Sequence, residues 1–267
     1  MNLKRIIDQV ISKRYSKPKQ PWEGVYSHYR EVPVTGEGLS GNAWMNMSRA
    51  AVEGLLHKSG ADQILSNGVA EENSLLPLLV SVLAENKQQI RILDFGGGAG
   101  RDFLLLVNSW TRSHAIDYWI IESRGICEVG SSLFREEQRI HFYPSLPAEL
   151  PDLDIVYINS ALQYVEDYAA VLKKLTSYKP RYFLFVRLSA GEFPTYATAQ
   201  KNVPGSVYAY WFLNLGQLLR IMKDEGYELL FRGFSEVELN QDNFPESHRL
   251  GRTRNLLFSK RLVNGTN

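Results

Sequence analysis

The chain has 267 residues, 44% hydrophobic and 12% aromatic, enough to bury the core of one large domain or of a domain with an appendage, which excludes a disordered chain. Thirty lysines and arginines stand against 29 acids, and a net charge of +1 supplies no overall field that would draw in nucleic acid or an anionic membrane. The one cysteine, Cys127, excludes an internal disulfide framework, and no cysteine and histidine spacing suits zinc; no metal and a reducing, cytoplasmic setting are expected.

In chain order, residues 1–20 place Leu3, Ile6, Ile7, Val10 and Ile11 at helical spacing among Lys4, Arg5, Lys13, Arg14, Lys17 and Lys19. A short basic helix is expected there, packed on the body of the protein or resting peripherally on the anionic inner membrane face. No apolar run approaches the roughly 20 residues that a spanning helix needs. Residues 21–44 read as an aromatic-rich irregular stretch, and helical patterns follow over 45–56 and 73–86. Residues 1–88 together are read as a helical and aromatic cap, a candidate substrate lid, and residues 89–267 as the main domain.

From about residue 90 onward, short apolar runs alternate with helical segments, the texture of a parallel sheet covered on both faces. Strands are predicted over 91–95, 117–122, 139–143, 154–159, 181–188, 227–234 and 255–262, with helices near 100–109, 125–135, 166–178 and 214–226. Residues 233–253 are polar and carry Pro245, so they read as a long connection that leaves the last strand antiparallel. The fold expected is α/β and Rossmann-like, a seven-stranded, mostly parallel sheet with an antiparallel last strand, the arrangement of class I methyltransferases.

The stretch "RILDFGGGAGRDFLLLV", residues 91–107, carries the first chemistry. Its glycines fall at Gly96, Gly97, Gly98 and Gly100, and Arg101 stands where a dinucleotide fingerprint needs its third glycine. Asp94 precedes the turn. A carboxylate there would repel a pyrophosphate but suits a cationic ligand without phosphate, so the spacing resembles that of sites for S-adenosyl-L-methionine (SAM). Glu122, at the end of the second strand, is placed to accept hydrogen bonds from ribose hydroxyls, a role equally useful to SAM and to NAD. In "DIVYINSALQYVEDY", residues 154–168, the fourth predicted strand leads into a loop, so Asn159, Gln163 and Tyr164 are expected beside the reactive group.

With "ILDFGGGAG", "YWIIE", "NSALQYVEDY", "FLFVRLSAGE", "ATAQKNVPGSVYAYWF", "MKDEGYEL" and the N-terminal "WEGVYSHYREV", the chain resembles the class I SAM methyltransferases encoded among bacterial surface-polysaccharide genes. The resemblance spans most of the chain. It implies a SAM-binding Rossmann-like fold and a role in the synthesis of capsule, lipopolysaccharide or a related glycan. The sequence departs from the pattern at "LSAGE" after Arg187, where a threonine and a proline would be expected.

Candidate catalytic residues are His28, whose ordinary pKa lies near neutrality, Tyr164, and Arg187, which could hold an anionic substrate or pair with Glu192. Tyr26, Tyr29 and Gln200 are further candidates for bases or orienting groups, and no two of these form a recognisable catalytic pair by sequence. Asn159-Ser160-Ala161-Leu162 is not the element that grips an amino group on a flipped base, and Cys127 lies in a predicted helix, so nucleic acid is not the expected substrate. The leading reading is O- or N-methylation of a sugar or glycan precursor. A non-catalytic partner in a glycan-assembly complex and an NAD(P)-dependent oxidoreductase are the alternatives. The sequence leaves the oligomeric state open.

Overall fold

The structure, a computed structural model, describes residues 20–56, 74–109 and 115–261. The predicted basic helix of residues 1–20 therefore lies outside the described residues except for its last position. Described elements begin with strand β1 (Trp22–Tyr26) and helices α1 (Asn42–Leu56) and α2 (Leu75–Leu83). Then come β2 (Ile90–Phe95), α3 (Arg101–Ser109), β3 (Ile116–Ile121), α4 (Arg124–Leu133), β4 (Ile140–Tyr143) and β5 (Ile155–Asn159). The chain continues through α5 (Tyr168–Ser177), β6 (Tyr182–Leu188), β7 (Ala190–Gly191), β8 (Tyr196–Gln200) and β9 (Tyr208–Asn214). Helix α6 (Leu215–Asp224) and strands β10 (Tyr227–Glu238) and β11 (Arg252–Lys260) complete it.

The main sheet has seven strands in the order β10-β11-β6-β5-β2-β3-β4. Strands β4, β3, β2, β5 and β6 run parallel, while β11 is antiparallel to both of its neighbours. The central strands are mostly apolar because both faces are covered, with charges only at positions such as Arg91, Asp94 and Asp117. Alternate side chains feed two cores. On one face Leu93, Trp119, Ile121, Val156 and Phe185 meet Leu172 and Leu175 of α5 and Leu218 and Met222 of α6. On the other, Ile92, Tyr118, Ile120 and Tyr157 meet Val52, Val80, Phe103 and Ile126 from α1, α2, α3 and α4. Two caps help to set the helix starts: Asp167 accepts the N–H of Ala170 and Asn214 that of Gln217, groups otherwise left without an intrahelical partner.

The structure adds a second sheet, of order β1-β8-β9-β7, that the sequence reading did not assign. Strands β8 and β9 are buried along almost their whole length, so they lack the polar alternation that marks a half-exposed strand. The turn signal between them was present at Pro204-Gly205-Ser206. Trp22–Tyr26, read as part of an irregular stretch, is a strand that pairs antiparallel with β8. Tyr29 reinforces the tie, its hydroxyl donating to the carbonyls of Tyr164 and Ala209, and Arg30 pairs with Glu166. One further boundary shifts: β10 continues to Glu238 and β11 begins at Arg252, so the connection between them shortens to 239–251.

Candidate functional site

A cleft of about 1050 Å³ opens at the carboxyl ends of β2, β3, β5 and β6, and Gly96, Glu122, Ser160, Tyr164, Arg187 and Gln200 are among its walls. The chain leaves β2 for β3 and β4 on one side and returns to β5 and β6 on the other. Ligands of open α/β sheets bind at such a reversal, beyond the strand ends.

The turn after β2 requires its glycines for separate reasons. Gly96 has φ +73°, and a Cβ there would lie 2.3 Å from the Cβ of Ala161; at Gly97 it would lie 2.3 Å from Oδ2 of Asp94. Gly98 has φ +59° with open space where its Cβ would stand. The first two hold the turn together, and the third leaves room above it. Asp94 lies beneath this turn rather than in the cleft, fully buried. The Tyr118 hydroxyl donates to its Oδ2 at 2.7 Å, while Oδ1 has no hydrogen-bond partner among the described residues. Burial, with the negative charge of Asp102 added, pushes its pKa well above the ordinary carboxylate range. Direct contact between Asp94 and a ligand, as the motif suggested, is not what this geometry offers.

Glu122 does line the cleft. Its Oε2 accepts the N–H of Ser123 at 2.5 Å, and burial raises its pKa. Asn159 lies on the same wall at the centre of a polar chain: its Nδ2 donates to Oδ2 of Asp102 at 2.6 Å, and its Oδ1 accepts Nε–H of Arg187 at 2.9 Å. The Tyr157 hydroxyl donates to the same Asp102 oxygen at 3.0 Å. Glu192, the ion-pair alternative for Arg187, sits instead near Arg232 at 3.9 Å. Asp102 was missed in the sequence. Its signal was an acid in the first turn of the helix that follows the glycines, where the helix dipole favours negative charge.

Ser160 and Arg187, at the ends of neighbouring strands, both have positive φ, 53° and 52°. Such conformations cost non-glycine residues energy and cluster at functional sites. Gln163, predicted beside the cofactor, is wholly buried and braces the floor, its Nε2 donating to the carbonyl of Arg187 and the hydroxyls of Ser160 and Tyr210. Tyr164 reaches the cleft, and burial lifts its hydroxyl pKa well above the ordinary value, so at neutral pH it is a neutral donor and not a base. His28 does not join them. It is exposed before a one-turn 3₁₀ segment, its main-chain N–H donating to Oε2 of Glu31 at 3.1 Å, and it is no part of the cleft wall. Cys127 is buried in α4, and among the described residues no cluster of three or more metal-ligating side chains occurs.

No protein-family model and no curated protein matches the chain. Solved structures do. A SAM-dependent methyltransferase from Methanosarcina mazei aligns with a TM-score of 0.51 at 15% identity, covering 70% of this chain and 98% of that one. Magnesium protoporphyrin IX methyltransferase from Synechocystis PCC 6803, with bound SAH, aligns at 0.51 and 13% over 82% and 97% of the two chains. The chain has the class I methyltransferase fold. The cyclase SpnF shares it too, with a TM-score of 0.52 and 14% identity over 86% of this chain and 98% of that one. Likeness at these identities is likeness of fold, and the reaction must be argued from the cleft. Within the methyltransferase fold, the glycine turn, Glu122 and Asn159 sit on adjoining strand ends, whereas Tyr164 and Gln200 lie toward the second sheet.

Proposed function

We propose that this chain is a SAM-dependent methyltransferase acting on a hydroxyl or amine of a sugar or glycan precursor. The observation that carries the reading is the cleft itself, where Gly96, at the head of the glycine turn, and the carboxylate of Glu122 line the wall at the sheet's point of reversal. Glu122 suits the ribose hydroxyls, and the main chain of Gly96 and Gly98 suits the methionine moiety, which carries no phosphate. When bound, this cofactor supplies an electrophilic methyl group.

The chain's own contribution is positioning, which can account for about 7–11 kcal/mol of a barrier in well-oriented reactions. Arg187 is held by Asn159, itself anchored on Asp102, so its guanidinium is steered before an acceptor arrives. Tyr164 offers an orienting hydroxyl. Pro21, Trp22, Leu39 and Trp44 supply part of the wall, which supports reading residues 1–88 as a cap that excludes water. The sequence resemblance supports the glycan acceptor, and the single cysteine supports a reducing, cytoplasmic setting. Residues 1–20 would be the means of any contact with the membrane, since no helix among the described residues is long and apolar enough to cross one.

The test is transfer of a labelled methyl group from SAM to a cell-envelope precursor extract. Label is expected in a carbohydrate-containing product, and should be lost with Glu122→Ala. Folded wild-type protein that binds no S-adenosylhomocysteine (SAH) would refute the cofactor assignment. Binding without transfer to any extract would favour the non-catalytic partner.

A further inference from the structure

Three buried polar side chains stand abreast on the second sheet. Trp22 of β1 lies opposite Gln200 of β8, and Gln200 lies opposite Tyr208 of β9, so the three side chains share one face at neighbouring positions. They are only 7%, 4% and 8% exposed. Among the described residues, Nε1 of Trp22, Oε1 of Gln200 and the hydroxyl of Tyr208 all lack a hydrogen-bond partner. Native interiors leave few buried polar atoms unpaired, and three adjacent in one row point to a ligand that completes them.

Two residues of the row line the cleft and the third packs behind its wall. Trp22 and Gln200 line it beside Tyr164 and Tyr210, and the Tyr208 ring lies against that of Tyr164, centroids 5.8 Å apart. Gln200 and Tyr164 share the cleft wall. The Tyr164 and Tyr210 rings meet edge to face at 5.1 Å and form an aromatic corner in the wall. The row stands on the second sheet, whereas the glycine turn and Glu122 follow strands of the main sheet.

The chemistry of the row restricts its ligand. An indole N–H only donates, an amide oxygen only accepts, and a phenol hydroxyl does both. Burial pushes the Tyr208 hydroxyl pKa up, which keeps the row uncharged at neutral pH. A carboxylate or phosphate accepts but cannot satisfy the Gln200 oxygen, and an ammonium donates but cannot satisfy the Trp22 N–H. Hydroxyl groups serve all three. We propose that Trp22, Gln200 and Tyr208 form the acceptor subsite, which reads hydroxyls of a neutral, polyhydroxylated ring lying against Tyr164 and Tyr210. This rests on the methyl-transfer reading in giving this half of the cleft to the acceptor.

The test uses the full chain with saturating SAH and saturation-transfer NMR of methyl glycosides of glucose, galactose, mannose and rhamnose, with phenol and glucuronate as comparators. Trp22→Phe and Tyr208→Phe each delete one polar group while keeping an aromatic ring. A glycoside is expected to bind, each variant to weaken it about tenfold, and Tyr208→Phe to melt no lower than wild type, because it removes an unpaired buried hydroxyl. SAH affinity, read separately by calorimetry, should not change. The subsite is overturned if no glycoside binds, if phenol binds and the glycosides do not, or if both variants bind glycoside like wild type. A protein that binds glycoside through this row but never SAH would retain the subsite and refute the methyl-transfer reading.

Discussion

Gly98→Ala separates what the glycine turn does for the fold from what it does for the ligand. Its φ is +59° and no atom lies within 4 Å of where the new Cβ would stand. The folded chain therefore bears only the left-handed strain of an L-residue, about 1–2 kcal/mol. For a chain of this size each kcal/mol lowers Tm by roughly 2–4 °C, so a drop of about 2–8 °C is expected. The methyl group would occupy the space assigned to the cofactor. Overpacking a fitted site costs about 1–3 kcal/mol, or about 5- to 140-fold in affinity. Thermal melting paired with SAH calorimetry reads both effects. Gly97→Ala provides the contrast: its Cβ would lie 2.3 Å from Asp94 Oδ2, so its stability loss should be the larger. A Gly98→Ala protein that binds SAH as wild type does would refute the placement of the ligand over this turn.

Glu122→Gln retains the shape of the side chain but removes a charged acceptor, and should weaken SAH by about 10- to 100-fold if ribose hydroxyls are its partners. Asn159→Ala frees Arg187 from Asp102, so kcat should fall more than KM rises, with the pH profile displaced, whereas a purely structural role would lower Tm and leave the profile unchanged. Asp94→Asn tests the buried acid. Its folded pKa is raised by burial and by Asp102, so the folded state holds the proton more tightly than the unfolded one. That stability is present below the unfolded value, about 3.9, and is lost as pH rises toward the folded pKa. Relative to wild type, the variant should gain stability as pH increases from about 4; a difference in Tm that does not change with pH would contradict this.

Much of the main sheet was legible because its strands are mostly apolar runs separated by helical spacing, and the seven predicted strands match those observed to within a few residues at most ends. The long polar stretch before the last strand correctly implied an antiparallel finish, although β10 runs further into it than its composition suggested. The cofactor half of the cleft was also partly legible, since glycines at fixed offsets and an acid at the next strand end are local features. What escaped depends on distant pairing. Trp22 and Gln200 face one another only because β1 joins β8 across most of the chain, and no periodicity shows that. His28 illustrates the reverse: its chemistry suited a base, but the backbone leaves it exposed. Asp94 had the right spacing and an unexpected place, under the turn rather than in the cleft.

The central claim is that the reversal point of this sheet binds SAM. Calorimetric titration of SAH into the wild-type chain, with NADH as the control, tests it most directly. Saturable binding of one SAH per chain is expected, with Kd in roughly the micromolar to millimolar range and no heat from NADH. A protein that melts cooperatively yet binds no SAH, or binds NADH in its place, would contradict the claim.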